Sequence, residues 1–287
     1  MQFYSRMFDH YIITRFNLKK EGWDTSKHNI PVLTETWLTN RFVLFERFCF
    51  SSVKAQENQN FKWLVYFDVS TPEIFKKRIE ELAEEFPNFQ PCYADGMEQF
   101  VPSIQEELKK STAQYVITSR LDNDDCLAKT YVNEVQQRFV QKDHWALDFI
   151  DGYTLQVSPD YKLGKRLQRF NPFISLIEVN DNPQSVWQRI HGAWKRDPNL
   201  ETIKNSRQWM SIIHAENKVN DFAGFGRVDP AVLHDFITDP TDCKQIQDAL
   251  IPETQWKIKS MSNSIKSHEK SFSKSLKRSL RLGLKKK

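Results

Sequence analysis

Asp122-Asn123-Asp124-Asp125 places three carboxylates within four residues. Negative charges that close oppose one another's ionisation unless a counter-charge stands beside them. Asp122 and Asp124 are two apart. In an extended segment such residues project to the same side, whereas on a helix they would diverge by about 200°. The preceding Tyr115–Ser119 (YVITS) favours the extended form. Two hard oxygens on one side suit magnesium or manganese, and an ion held by so few protein ligands keeps positions open for a diphosphate. The bland alternative is a solvated acidic turn capping the helix that follows. Against it stand the concentration of charge and the strand before the turn; Arg120 supplies part of the compensation.

The elements that must position this turn alternate over the first 150 residues. His10–Arg15 (HYIITR) is rich in β-formers. Leu38, Phe42, Phe45 and Cys49 then mark one apolar helix face, closed at Ser51-Ser52. Trp63–Phe67 (WLVYF) is the continuous run expected of a strand covered on both faces. Thr71-Pro72 supplies an N-cap and opening proline for EIFKKRIEELAEEF. Phe89–Tyr93 and Tyr115–Ser119 are further strands, and Tyr131, Val135 and Phe139 mark a helix after the acidic turn. Strands alternating with helices imply βαβ units and a mostly parallel sheet, whose ligands collect at the carboxyl ends of strands. Four such ends carry Arg15, Asp68, Asp95 and Asp122. From Ala146 the pattern shifts to ALDFI, YTLQV, FISLIEV and WMSIIH, separated by turn-formers such as Asp151-Gly152, and reads as an antiparallel extension of the same sheet.

Composition narrows the classes. Among 287 residues, 39% hydrophobic and 13% aromatic supply a substantial core. The net charge of +4 hides an asymmetry. Residues 257–287 hold eleven Lys or Arg and one acid, leaving thirty bases against thirty-six acids in residues 1–256, a net −6. A uniformly basic nucleic-acid binder would not look like this, and no nucleic-acid partner is expected. Cys49, Cys92, Cys126 and Cys243 are scattered with no CxxC pair, which fits free thiols in a reducing compartment. The opening MQFYSRMFDHYIITRF lacks the pattern of a signal peptide, and no 18-residue apolar run offers a membrane span. A cytoplasmic protein is expected. Walker A, GxGxxG and GxSxG patterns are absent.

These residues also carry a resemblance. YVITSRLDNDDCL is similar to the strand-to-DxD segment of inverting, family 2-like glycosyltransferases with the GT-A fold. ITRFN at 13–17, WLTNRFVLFERFCFSSVKAQ at 37–56, FKWLVYFDVSTP at 61–72, TSRLDNDD at 118–125, RFNPFISLIE at 169–178 and WMSIIHAEN at 209–217 resemble, in order, a bacterial rhamnosyltransferase family. The resemblance implies a GT-A-like, Rossmann-like α/β domain with a mixed, mostly parallel sheet flanked by helices. It implies transfer of a sugar, rhamnose by the family's label, from a nucleotide-sugar donor to a hydroxyl of a glycan or lipid-linked acceptor, with inversion. By the same resemblance Asp122, Asp124 and the late His214 hold Mn2+ or Mg2+, while Thr14, Arg15, Asp68, Asp95, Arg120 and Asp122 line the donor pocket.

An inverting transfer needs a base for the acceptor hydroxyl. Glu178, ending FISLIE, and Asp151, ending LDFID, are the candidates, with Glu178 preferred; each reads equally as a surface residue at a strand end. His191 in WQRIHGAW could touch a sugar or acceptor, although packing explains it better, and Trp187, Trp194 and Trp209 likewise fit a core better than sugar stacking. The domain spans residues 1–256, followed by a basic tail, 257–287, that leaves the globular body near Ser260. Phe272, Leu276, Leu280 and Leu284 recur every four residues there. This is the composition of an interfacial helix on the anionic inner face of the cell membrane, or equally of a solvated basic tail. Two rival functions remain: a different metal-dependent phosphate enzyme (nucleotidyltransferase or phosphoesterase), and a membrane-associated adaptor without catalysis.

Overall fold

A computed structural model describes residues 7–22, 33–217 and 221–284, with the side chains of 282–284 excepted. Lys285, Lys286, Lys287 and the Leu284 side chain of the basic tail lie outside the described residues. β1 (Phe8–Arg15) leads to α1 (Glu35–Leu44), a π-helical turn over Phe45–Phe50 and the short α2 (Ser51–Lys54). Then come β2 (Lys62–Asp68), α3 (Glu73–Glu85), β3 (Phe89–Ala94), α4 (Phe100–Leu108) and β4 (Tyr115–Asp122). The acidic turn opens onto β5 (Cys126–Leu127) and α5 (Tyr131–Gln136), followed by β6 (Trp145–Gln156), β7 (Lys162–Leu167), β8 (Ser175–Val179) and β9 (Leu200–Ile213). α6 (Pro240–Ala249) and α7 (Lys257–Leu284) close the chain.

The strands form one sheet in the order β3-β2-β1-β4-β8-β6-β9-β5, with β7 beside β6. β3, β2, β1 and β4 run parallel. β8 is antiparallel to both β4 and β6, and β6 and β9 are parallel to each other. The period-2 alternation of strands explains the apolar runs. Ile12, Trp63, Val65 and Phe67 face a layer holding Phe42, Phe45, Phe50, Ile79 and Leu82. Tyr11, Ile13, Leu64 and Tyr66 face the opposite layer, with Phe100, Ile104, Leu108 and Trp187. Both faces of β1 and β2 are therefore dry, as WLVYF requires.

Three local expectations are revised. Asp151-Gly152 is not a turn but lies inside β6. Glycine is needed there because a Cβ would stand 2.4 Å from the Trp209 indole. Thr71 does not cap α3; its hydroxyl donates to the Asp68 carbonyl at 2.6 Å. The tail does not leave the body near Ser260. Residues 257–284 form one continuous helix, and Ser260 is 2% exposed, its Oγ accepting from Gly226 N. Further along, Arg169 Nε donates to Ser271 Oγ, Lys274 Nζ to Arg169 O, and Arg278 Nη2 to Asp197 O and Leu200 O.

Candidate active site

Parallel register sets the first pair. Arg15 and Asp122 end neighbouring strands as direct partners, so their side chains leave the sheet on the same side. Arg120, two residues earlier on β4, shares that side and donates from Nη2 to Asp122 Oδ1 at 3.2 Å. Trp187 forms the floor beneath both arginines. The Arg120 guanidinium lies 3.9 Å from its ring centroid and that of Arg15 5.7 Å, while its Nε1 donates to Ile13 O. A guanidinium over an indole is held flat with its donor edges outward. Met97, from the loop after β3, contributes an Sδ that accepts from Arg15 Nη1 at 3.6 Å.

Asp124 sits in a second group. Its Oδ2 accepts from Arg41 Nη1 at 2.9 Å, from His214 Nε2 at 3.0 Å and from Asn217 Nδ2 at 3.3 Å. Burial opposes its ionisation, but the His214 hydrogen bond and the Arg41 charge outweigh that and bring its pKa down to about 2. His214 Nδ1 accepts from Glu216 N at 3.2 Å, so in the neutral ring the proton resides on Nε2, the atom facing Asp124. Asp125, the third acid, turns inward. Its Oδ1 accepts from Ile212 N of β9, and burial together with the charges of Asp124 and Asp122 pushes its pKa well above the ordinary value. It fastens the turn to β9. Burial also lowers the pKa of Arg15, with the Asp122 and Asp124 carboxylates opposing that shift; one guanidinium feels both acids of the turn.

The fit of a divalent cation follows from the donor set. Asp122 and Asp124 present hard oxygens at one turn, and the hydrogen bonds described fall on Oδ1 of the first and Oδ2 of the second. No group of three or more His, Cys, Asp or Glu able to hold a metal is gathered among the described residues. The expected set of Asp122, Asp124 and His214 is thus not gathered as a metal site, His214 Nε2 being turned to Asp124. An ion at this turn would take the two carboxylates from the protein and its remaining ligands from a diphosphate.

Other expected residues are engaged elsewhere. Thr14 points to the opposite face of β1, where its Oγ1 accepts from Trp63 Nε1 at 2.9 Å inside the core. Asp68 is buried, its oxygens accepting from Lys19 N, Ser70 N and Ser70 Oγ, and it ties the loops after β1 and β2 together. Asp95 is exposed beyond β3, three strands from β4. Glu178 is buried with its carboxylate accepting from Gln184 N and Ser185 N. Its strand partner is Val116, six residues before Asp122, so it lies ~20 Å from the acidic turn at ~3.3 Å per residue. β8 runs antiparallel to β4, so its carboxyl end lies at the opposite end of the sheet from the acidic turn. Asp151 accepts from Asn205 N and pairs with Arg207 at 3.8 Å, supporting the irregular stretch between β6 and β9.

His191 is oriented by one backbone contact. His191 Nδ1 lies 2.7 Å from Phe170 O. A carbonyl can only accept, so Nδ1 carries the proton and Nε2 keeps its lone pair. Burial lowers the pKa of this ring, and the charges of Arg120 and Asp122 reach it. Phe170 has φ +56, a left-handed conformation costly for an aromatic residue. It is held there by Asp148, whose Oδ2 accepts from Phe170 N at 2.8 Å and whose Oδ1 accepts from Asn171 Nδ2 at 3.0 Å. Asp148, wholly buried in ALDFI, has its pKa pushed up to about 7 by desolvation.

The ordered blocks read in the sequence are matched at the level of a family. The family described as "Putative rhamnosyl transferase" matches residues 9–224. The chain belongs to that family. Its sheet, parallel from β3 through β4 and flanked by helices on both faces, is the GT-A-like arrangement implied by the resemblance. No curated protein sequence matches the chain. Among solved structures, Staphylococcus aureus TarS 1–349 is similar at 12% identity and a TM-score of 0.42, over 71% of this chain and 60% of that one. TarS 1–349 has also been crystallised with UDP. A "putative nucleotide-diphospho-sugar transferase" from Desulfovibrio desulfuricans G20 is similar at 10% identity and a TM-score of 0.39, over 86% and 99% of the two chains. The family match takes in β1 through β9, hence Arg15, Arg41, Arg120, Asp122, Asp124, His191 and His214 together.

The sequence alone assigns no role to Arg41 or Asn217, although both lie in blocks of the resemblance, nor to Asp148, and Trp187 reads as core; two of the four leave a trace. Arg41 stands among Trp37, Leu38 and Phe42 on the buried face of α1, and Asp148 interrupts an apolar strand run. A charge on an otherwise apolar face demands a partner nearby.

Proposed function

We propose that this chain is a metal-dependent glycosyltransferase that moves a sugar from a nucleoside diphosphate to a hydroxyl of a glycan or lipid-linked acceptor, with inversion. Rhamnose is the sugar named by the family description. The observation that carries the reading is the meeting of Arg15, Arg120 and Asp122 over Trp187 at the carboxyl ends of two parallel strands, with Asp124 two residues further on. Asp122 and Asp124 would hold Mn2+ or Mg2+, which when bound neutralises charge on the diphosphate. Arg15 and Arg120, held flat on Trp187, face their donors toward the same anion and stabilise charge as it develops. His214 and Arg41 fix Asp124 in its ionised form.

His191 replaces Glu178 and Asp151 as the proposed base. The acceptor oxygen bonds to the anomeric carbon as the bond from that carbon to the diphosphate oxygen breaks. The bonding pair departs with the diphosphate, and the acceptor proton passes to His191 Nε2. Asp148 acts at one remove, holding the Phe170 carbonyl that sets the His191 tautomer.

Calorimetry with Mn2+ and a panel of nucleoside diphosphates tests the first part. Binding should require the metal, and Asp122→Asn, at a partly exposed position, should weaken it by roughly a hundredfold while the fold persists. Metal-independent binding would remove the cation from the reading, and the absence of any nucleotide binding would remove the transferase. A screen for diphosphate release across nucleotide-sugars then identifies the donor. His191→Gln should lower kcat by about 10²–10⁴ with donor affinity unchanged. An equal loss of donor affinity would make His191 a binding residue instead.

A further inference from the structure

α7 is laid on the body the wrong way round for a water-soluble helix. At about 100° per residue, Ser260, Asn263, Ser271, Lys274 and Arg278 fall on one side, and this polar side is the one bonded to the body. The opposite side carries Ile258, Met261, Ile265, Phe272, Leu276 and Leu280, between 49% and 86% exposed. Six large apolar side chains along one stripe are not scattered surface residues. An ordinary amphipathic surface helix turns such a stripe inward. Here the inward contacts are already made by hydroxyls, an amide and cationic heads bound to backbone carbonyls.

We infer that this outer face of α7 docks on an anionic lipid surface. Charge selects the occupant. Lys259, Lys266, Lys270, Lys277 and Arg281 lie along one flank of the stripe, while Glu269 is the helix's single acid. A second copy would bring the same basic flank against itself, and the repulsion would oppose pairing. Anionic headgroups satisfy the flank as the stripe enters the acyl boundary. No described helix is long and apolar enough to cross a membrane, so the helix lies in the plane of the interface. Its inward side holds Arg169, Asp197 and Leu200. Lys274 Nζ, on the same side, lies 5.6 Å from the Phe170 ring centroid. This inference stands independently of the reaction proposed above.

Vesicle co-sedimentation of the full chain tests it, comparing phosphatidylcholine alone with phosphatidylcholine mixed with phosphatidylglycerol. The partition coefficient should rise at least about tenfold with the anionic lipid. Changing Ile265, Phe272 and Leu276 together to Ser should reduce it to the zwitterionic level. A charge variant, Lys266→Glu with Lys270→Glu and Lys277→Glu, should do the same. Equal partition onto both vesicle types, or unchanged binding by the serine variant, overturns the proposal. So does sedimentation velocity showing a dimer that the serine variant converts to monomer in a chain that ignores vesicles. Metal-dependent nucleotide binding without lipid should be identical in all three proteins. That readout separates failure of the docking from failure of the transferase reading.

Discussion

Asp148 and Asp124 are buried carboxylates whose environments drive them in opposite directions. Asp148 is raised to about 7 by desolvation, against which two hydrogen bonds are insufficient. A carboxyl raised on folding stabilises the fold fully below its unfolded pKa and loses that contribution as pH rises through the folded value. Between about pH 4 and pH 7, Asp148 should therefore cost the fold up to roughly 4 kcal/mol, at ~1.4 kcal/mol per unit. Asp124, lowered to about 2, has the reverse sign and loses its contribution only below about pH 4. Denaturant unfolding at pH 5 and pH 8 of the wild type and Asp148→Asn isolates the first effect. The variant should be less stable at pH 5, because its amide faces the Phe170 N–H, yet lose less on going to pH 8. Parallel slopes would assign the pH dependence to other groups. Glu178 makes a simpler case. With both oxygens accepting backbone N–H groups, Glu178→Gln should reduce stability by about 1–3 kcal/mol and leave kcat within about twofold. A loss of kcat beyond tenfold would return Glu178 to catalysis.

Elements decide which of these residues meet. The alternation through β4 and the two-faced burial of β1 and β2 were legible because hydrophobic period and turn residues are local properties. The extended reading of the acidic segment fails past Asp122, where Asn123 and Asp124 form a turn closed by Asp125 N donating to Asp122 O at 3.4 Å. Strand direction is not local. The pieces from Ala146 read as an antiparallel extension, yet β6 and β9 run parallel to each other and only β8 reverses between β4 and β6, which carries Glu178 to the far end of the sheet. The same limit hid the length of β6, whose Asp151-Gly152 looks like a turn until Trp209 is seen packed against the glycine. Gly152→Ala would drive a methyl into that indole, which is itself stacked on Phe173 at 4.7 Å. A loss of about 1–3 kcal/mol is expected, readable as a fall in Tm with little change in nucleotide affinity. The π-helical turn was equally hidden, since the Leu38, Phe42, Phe45 and Cys49 face reads as ordinary helix. Widening it lets Phe45, Phe48, Cys49 and Phe50 all become buried and brings Cys49 Sγ within 3.6 Å of Asp122 O. The helix thus braces the acidic turn from behind, a placement π turns often take beside functional sites.

At the scale of the molecule, residues 1–256 carry a net −6, and a nucleoside diphosphate is itself strongly anionic. α7, packed on this domain, brings the whole chain to +4, so net charge does not decide the attraction and binding rests on the local field at the turn. Arg15, Arg41 and Arg120 gather around Asp122 and Asp124, so three cationic side chains stand at the turn despite its acidic sequence. Trp187 keeps two of these cations in place without neutralising them. Replacing Arg15 by Met keeps much of the aliphatic stem and deletes the charge. The dissociation constant for a nucleoside diphosphate should rise about 10- to 100-fold, the worth of one or two charge-assisted hydrogen bonds, with a smaller rise for the monophosphate. Salt supplies the second readout. Attraction to these cations is screened as ionic strength increases, with a Debye length near 10 Å at 0.1 M, so wild-type affinity should fall between low and physiological salt. With Arg15 removed, less attraction remains to screen, and the salt dependence should flatten. Calorimetric titrations of both proteins across that range decide the matter. An Arg15→Met protein with wild-type affinity and the same salt slope would place the diphosphate away from the carboxyl ends of β1 and β4.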